Sequence, residues 1–210
     1  MVLLRAESFG LENLKVEPAF IPPYYSDLDQ SFWLFLLLYL TNMSGANSIN
    51  IRTPIAAVNY SSRLRVYFGS VTGEILEAVY ESGWKGGNAI AKDTKVYSPI
   101  AATSLGELSS IRVYYLDSNN HLRERAYDSG RGWYDGALNA QNYQVAPYSQ
   151  IAAVFLAGSG SLRVYAQLAD DTIQEFGWDN GWSRQTNLGQ ALPGTSLAAT
   201  SFKTSQLSIR

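Results

Sequence analysis

The sequence contains no cysteine and a single histidine. The first absence excludes disulfides and thiolate chemistry. The second leaves His121 without the partner a histidine metal cluster needs. His121 lies in "DSNNH", a turn composition, and is expected to be a solvated loop residue. No run of lysine or arginine occurs and the formal net charge is −2. A nucleic-acid or anionic-membrane partner is therefore not expected. The apolar run Phe32 to Leu40 covers nine residues, against the roughly 20 that cross a bilayer. No membrane insertion is expected. That run follows Asp27 and Asp29, where a secretory signal carries positive charge, so no signal peptide is recognisable. No cofactor or metal is expected.

Aromatic side chains, by contrast, are plentiful. They make up 13% of the 210 residues, with 14 Tyr and 5 Trp. Such a composition favours strands and binding surfaces built from flat side chains. Residues 1–42, including "EPAFIPPYYSDLDQ", do not match the rest of the chain. Met43 opens "MSGANSINIRTPIAAV", which reads as a protein start. Residues 1–42 read either as a buried or partner-bound segment or as an N-terminal extension foreign to the native protein, the second being the hypothesis favoured by Met43, and residues 43–210 as the propeller segment.

That segment repeats itself, the strongest signal in the chain. Four stretches open alike: "PIAAV" at 54, "PIAAT" at 99, "QIAAV" at 150 and "SLAAT" at 196. Each leads to a second apolar stretch: "LRVYF", "IRVYY", "LRVYA" and a final "SIR". The arginines are Arg65, Arg112, Arg163 and Arg210, separated by 47, 51 and 47 residues. Glu77, Glu124 and Glu175 each follow their arginine by twelve positions, and Trp84, Trp133 and Trp182 stand 49 apart. Each unit holds about four short strand candidates bounded by Gly, Ser, Asn or Asp. A period of about 48 with four strands matches one blade of a β-propeller. A sandwich would give no reason for a fixed period. The repeats are placed at about 51–95, 96–146 and 147–193, with a partial one at 194–210. Propellers close with about four to eight blades. The expectation is an incomplete propeller, either a truncated sequence or one whose copies associate, as a homodimer, to complete the ring.

Arg112 and Glu124 flank the turn "DSNNH" between two strands, and an ion pair across that hairpin would contribute roughly 0.2–1 kcal/mol. The recurring "GW" is open to packing between blades. Together, however, a guanidinium, a carboxylate and an indole suit a sugar. Arginine donates a planar fork of hydrogen bonds, glutamate accepts from hydroxyls, and an aromatic face covers the C–H side of a pyranose. Each satisfied charged hydrogen bond contributes about 1.5–3 kcal/mol.

Three stretches make the chain recognisable: "PIAAV…LRVYFGSVTGEILEAVYESGWKGG", "YSPIAAT…IRVYYLDSNNHLRERAYDSGRGWYDGA" and "IAAV…LRVYAQLADDTIQEFGWDNGW". Over about residues 51–210 the sequence resembles the fungal fucose-specific lectins of the Aleuria aurantia type. The resemblance implies an all-β, six-bladed propeller, of which this chain would hold about the first three and a half blades. It implies a non-catalytic protein that binds L-fucose and fucosylated glycans between adjacent blades. One blade would supply Arg and Glu, the next two aromatics. Arg65 and Glu77 would then meet Tyr127 and Trp133, and Arg112 and Glu124 would meet Trp178 and Trp182. Arg163 and Glu175 would form half a site, completed from beyond the chain end. Tyr80 and Trp84 would serve a blade before the first repeat. The "SRQ" after Trp182 and the two extra residues before Trp133 depart from the pattern and imply sites of unequal strength.

Two other functions compete. A glycosidase needs two carboxylates across the scissile bond. Here one Glu recurs per blade, and its Arg partner is expected to keep it ionised. A protein-interaction propeller of the WD type would carry "WD" and "GH" dipeptides in its repeats; "GH" does not occur, and "WD" occurs once, at Trp178–Asp179, not once per unit. Location is left open by the residues, and the resemblance leans to the cytoplasm.

Overall fold

The computed structural model describes residues 49–156, 159–202 and 206–209. The supposed extension over residues 1–42, and Arg210, lie outside them. Among the described residues the chain forms three four-stranded antiparallel sheets and one two-stranded sheet. The first sheet holds β1 (Ile55–Tyr60), β2 (Arg63–Gly69), β3 (Ile75–Tyr80) and β4 (Trp84–Ala91). The second holds β5 (Ala101–Leu105), β6 (Ser110–Leu116), β7 (Leu122–Asp128) and β8 (Gly132–Asp135). The third holds β9 (Ile151–Phe155), β10 (Leu162–Gln167), β11 (Thr172–Trp178) and β12 (Trp182–Gln190). β13 (Ala199–Phe202) and β14 (Gln206–Ile209) pair alone. Each sheet is a meander in which neighbours in sequence are neighbours in space, as the short turn-rich repeat predicts.

The turns repeat as well. The middle hairpin of each sheet places a left-handed residue eight positions after the arginine: Gly73 (φ 75°), Asn120 (φ 62°) and Asp171 (φ 66°). Gly, Asn and Asp are the residue types that tolerate this region. In the second hairpin the Asp117 carboxylate accepts from the amides of Asn119 and His121, each at 2.9 Å. His121 is not the freely solvated residue expected from its turn. It is partly buried, its Nδ1 lies 3.2 Å from Asp117 Oδ2, and it bridges to Gln144. The turn is drawn together by Asp117, which also accepts from Arg123 Nε at 2.8 Å.

The sheets pack through their first strands. β5 lies beside both β1 and β9, and β9 lies beside β13. The Phe155 amide donates to Thr103 Oγ1 at 3.0 Å across the β9–β5 junction. This is the blade arrangement expected from the period. Strand alternation then assigns each side chain to one gap. On β6, Ile111, Val113 and Tyr115 turn toward the first sheet and pack with Tyr67 and Ile75. Tyr114 and Leu116, one residue out of step, turn the other way with Leu122 and meet Val164, Phe176 and Trp182 of the third sheet. A blade thus carries two apolar faces, and neither can be buried without a neighbour.

Leu122 is fully buried in the second gap, so Leu122→Ala is expected to cost about 2–5 kcal/mol of unfolding free energy. Leu192, 81% exposed, is expected to change it by less than about 0.5 kcal/mol when replaced by Ala. Urea unfolding of the two variants checks the contrast.

Candidate functional site

Arg65, Arg112 and Arg163 stand on the second strands of the three sheets, and Glu77, Glu124 and Glu175 on the third strands. The ladder does not set each Glu opposite its Arg. It sets it opposite the tyrosine two residues further on: Tyr67 faces Glu77, Tyr114 faces Glu124 and Tyr165 faces Glu175. Residues two apart share a face, so Arg, Tyr and Glu point into one gap. The Arg Nε then lies diagonally from the carboxylate, at 3.9, 3.8 and 3.4 Å in the three sheets. The tyrosine hydroxyls, on side chains with no exposed surface, donate to the carboxylates at 3.2, 3.0 and 2.8 Å.

Each arginine also has a closer anionic partner. Arg65 Nη2 meets Glu81 at 2.6 Å, Arg112 Nη1 meets Asp128 at 3.1 Å and Arg163 Nη2 meets Asp179 at 2.8 Å. All three acids follow their arginine by sixteen positions. Each guanidinium is therefore held between a carboxylate at the rim and one within the gap. The sequence reading missed both the tyrosines and these outer acids. Their signals were present, as "RVY" in every unit and an acid four residues after each Glu.

Burial dominates the electrostatics. It pushes Glu77 up from the ordinary glutamate value of 4.5, against the opposing pull of hydrogen bonds from Trp133 and Tyr67 and the charge of Arg65. Glu124 is raised for the same first reason, against the Leu138 amide, Tyr114, Arg112 and Trp182. This corrects the expectation that the paired arginine would govern these carboxylates. The Arg Nε stands nearly 4 Å away from each, and loss of water outweighs it. At the rim the order reverses. Hydrogen bonds from Arg65 and Arg163 hold Glu81 and Asp179 below the usual range. Burial works to raise Asp128, but hydrogen bonds from Ser110, Tyr134 and Arg112 outweigh it and hold it low. Burial beside a carboxylate pushes the Tyr67, Tyr114 and Tyr165 hydroxyls far up, so they stay donors.

The outermost strand of each sheet departs from its ladder at the glutamate. β4 shifts register beside Glu77, and β12 shifts across the position of Glu175. β8 ends at Asp135, and a 3₁₀ turn over Ala137–Gln141 follows. Bulges of this kind re-aim side chains near sites. In the second sheet the break lets the Leu138 amide donate to Glu124 Oε2 at 3.1 Å. Gly136 is required there, because a Cβ would collide with the same oxygen.

The facing aromatics come from the next sheet. Trp133 Nε1 donates to Glu77 Oε2 at 3.4 Å, and its ring meets Tyr67 edge-on at 5.9 Å and Tyr127 at 5.5 Å. Trp182 meets Tyr114 edge-on at 6.2 Å and lies 6.0 Å from Trp178. Arg65, Glu77, Tyr127 and Trp133 are thus brought to one gap. Arg112, Glu124, Trp178 and Trp182 line one cavity of about 300 Å³, with Ala126, Phe155 and Leu162 as its apolar wall. Arg163 and Glu175 share the same pairing, but no Tyr or Trp follows Trp182 in the sequence. The Tyr80 and Trp84 rings lie 5.3 Å apart, tilted at 59°, and are 37% and 55% exposed.

A family model described as fungal fucose-specific lectin matches residues 49–210. A fucose-specific lectin of Aspergillus fumigatus is 54% identical over 164 residues, covering 76% of this chain and 52% of its own. The SapL1 lectin, solved in complex with α-methyl fucoside, superimposes with a TM-score of 0.73 at 46% identity. That match covers 80% of this chain and 57% of that one. The six-bladed β-propeller lectin of Aleuria aurantia gives 0.68 at 32% identity, over 78% of this chain and 57% of its own. The chain spans about half the length of the curated relatives it matches.

Tyr114→Phe removes a donor from the buried Glu124 carboxylate. It is expected to cost about 1–3 kcal/mol of unfolding free energy and to push Glu124 up further. Denaturant unfolding measures the first effect, and a carboxyl NMR titration measures the second.

Proposed function

The chain belongs to the fungal fucose-specific lectin family, and we propose that it binds L-fucose in fucosylated glycans through its inter-sheet clefts, non-catalytically and at several sites. The second cleft carries the proposal, because Arg112 and Glu124 of one sheet and Trp178 and Trp182 of the next line a single cavity. In this reading Arg112 donates to ring hydroxyls and Glu124 accepts from them. Trp178 and Trp182 cover the apolar face of the sugar, and Phe155 and Leu162 take its methyl group. Arg65, Glu77, Tyr127 and Trp133 form the equivalent first site, and Arg163 with Glu175 the polar half of a third.

Hydrolysis fits less well. Burial lifts Glu124, as a general acid needs, but it is the one carboxylate lining the cavity. A glycosidase works with a pair. Each site offers few hydrogen bonds and a small apolar area. Useful avidity would come from several sites engaging one glycan-coated surface.

Glycan-array binding competed by free L-fucose is the direct test, and a folded protein without fucose-competable signal would sink the proposal. Arg112→Ala with Glu124→Ala is expected to abolish binding at the second site, lowering the fucoside stoichiometry in calorimetry. Acid should act on binding before it acts on the fold. Glu77 and Glu124, raised above 4.5, take up protons early, so fucoside affinity should fall as the pH drops through their raised values. For stability the same shift has the opposite sign. Their contribution is fully present below 4.5 and is lost as the pH rises through the folded values. The depressed Glu81, Asp128 and Asp179 contribute stability above their ordinary values that is lost as the pH falls through the folded ones. Fucoside calorimetry with near-UV circular dichroism, from neutral pH to about 4.5, is expected to show weaker binding with the fold intact. An affinity that is flat over that range would count against carboxylate acceptors.

A further inference from the structure

The last hairpin of the second repeat differs from its counterparts. The first repeat reads "ESGW" and the third "DNGW", whereas the second reads "DSGRGW". The two extra residues make room for Arg131 between Gly130 (φ 85°) and Gly132 (φ 80°), both in the left-handed region. Arg131 is exposed, yet its position is fixed. Its Cζ lies 3.5 Å from the centroid of the Tyr134 ring. The Tyr134 hydroxyl donates to Asp128, the rim acid that pairs with Arg112. Arg131 and Tyr134 both line the cavity that holds Arg112 and Glu124.

The two cavity arginines are differently employed. Arg112 is shared between Glu124 and Asp128. Arg131 forms no ion pair and no side-chain hydrogen bond among the described residues. A guanidinium lying over the face of an aromatic ring uses its charge there and keeps N–H donors available for other partners. It is therefore a cation fixed in place at the cavity mouth, with its donors uncommitted. The first cleft has no inserted arginine, and its rim carries the half-exposed carboxylate of Glu81.

We propose that Arg131, stacked on Tyr134, forms an outer subsite of the second cleft that takes an anionic group on a fucosylated glycan. The group is a carboxylate or a sulfate ester on a sugar adjoining the fucose. Both present paired oxygens to the guanidinium fork and form charge-assisted hydrogen bonds. This rests on the second cleft being a fucose site, and it makes that cleft selective where the first is not.

Calorimetry on the chain and on its Arg131→Gln variant tests it with four probes: α-methyl fucoside, a neutral fucosylated trisaccharide, and the sulfated and sialylated forms of that trisaccharide. The parent chain is expected to bind at least one anionic form about tenfold more tightly than the neutral one. Whichever of the two gains identifies the source of the anion. The gain is expected to shrink at high salt and to vanish in Arg131→Gln, whose affinity for α-methyl fucoside stays unchanged. Arg131 is exposed, so the variant keeps its fold, which near-UV circular dichroism verifies. Equal affinity for neutral and anionic forms overturns the subsite while leaving the fucose site standing. So does a gain that survives the substitution. Absence of any α-methyl fucoside binding by the parent chain overturns the fucose site itself, and the subsite with it.

Discussion

A glutamate carboxylate held between two sheets is the constraint around which each cleft is arranged. Removing a charged group from water is expensive unless donors replace the water. Here the donors come from three directions. A buried tyrosine from the adjacent strand reaches the carboxylate in every unit. An arginine approaches diagonally from the same strand as that tyrosine. In the first gap an indole N–H arrives from across the gap, from Trp133 to Glu77, and in the second the Trp182 indole lines the cavity with Glu124. The donors do not fully replace the water, and so Glu77 and Glu124 are raised and not lowered. A carboxylate left with unused acceptor capacity inside a lined cleft is suited to accept from a ligand's hydroxyls.

Much of this was legible in the sequence because duplication writes the same design several times. The period, the four strands per unit and the Arg–Glu spacing of twelve could be read directly. Alternation also separated residues that look like neighbours. Arg112 and Trp133 lie in one continuous stretch, yet Arg112 shares its face with Tyr114 and points to the third sheet. Trp133 pairs with Tyr127 and points to the first. What was not legible had a physical disguise. Tyr67, Tyr114 and Tyr165 sit where a strand core wants an aromatic, and nothing in "RVY" tells a packing ring from a hydrogen-bonding hydroxyl. Glu81, Asp128 and Asp179 sit where turns favour acids. Burial of the glutamates was not legible either, because it depends on the next sheet arriving to close the gap. For that reason the pairing with arginine looked decisive from the sequence and is secondary in the fold.

The units are copies, but the clefts are not. The differences lie at the last strand, the part of a blade with fewest neighbours. β4 and β12 run eight and nine residues with register shifts, whereas β8 stops after four and yields to a 3₁₀ turn. In the second sheet this brings the Leu138 amide and Gly136 against Glu124, a support the other two glutamates do not share. The same sheet carries the inserted Arg131. Variation at the outer strand can therefore retune one cleft without disturbing the inner strands that join the blades.

Fold and the proposed binding would be coupled, because they would use one surface. Trp182 packs in the core cluster of the second gap and also lines the cavity with Glu124. Trp133 packs against the cluster of the first gap and donates to Glu77. Each cleft exists only where one blade docks on the next, and the docking contact is itself part of the cleft. Before any ligand arrives, the arginine is fixed by its rim acid and the glutamate by its tyrosine. Little side-chain freedom would be left to lose on the proposed binding, which would lower the entropic cost that shallow sites otherwise bear. The arrangement costs stability, since a raised carboxylate is a charge the fold would rather not bury. The apolar packing on both sides of each blade offsets that cost. A cleft of this kind therefore requires a repeat, because a solitary blade would have neither the second wall of the cleft nor the packing that sustains it.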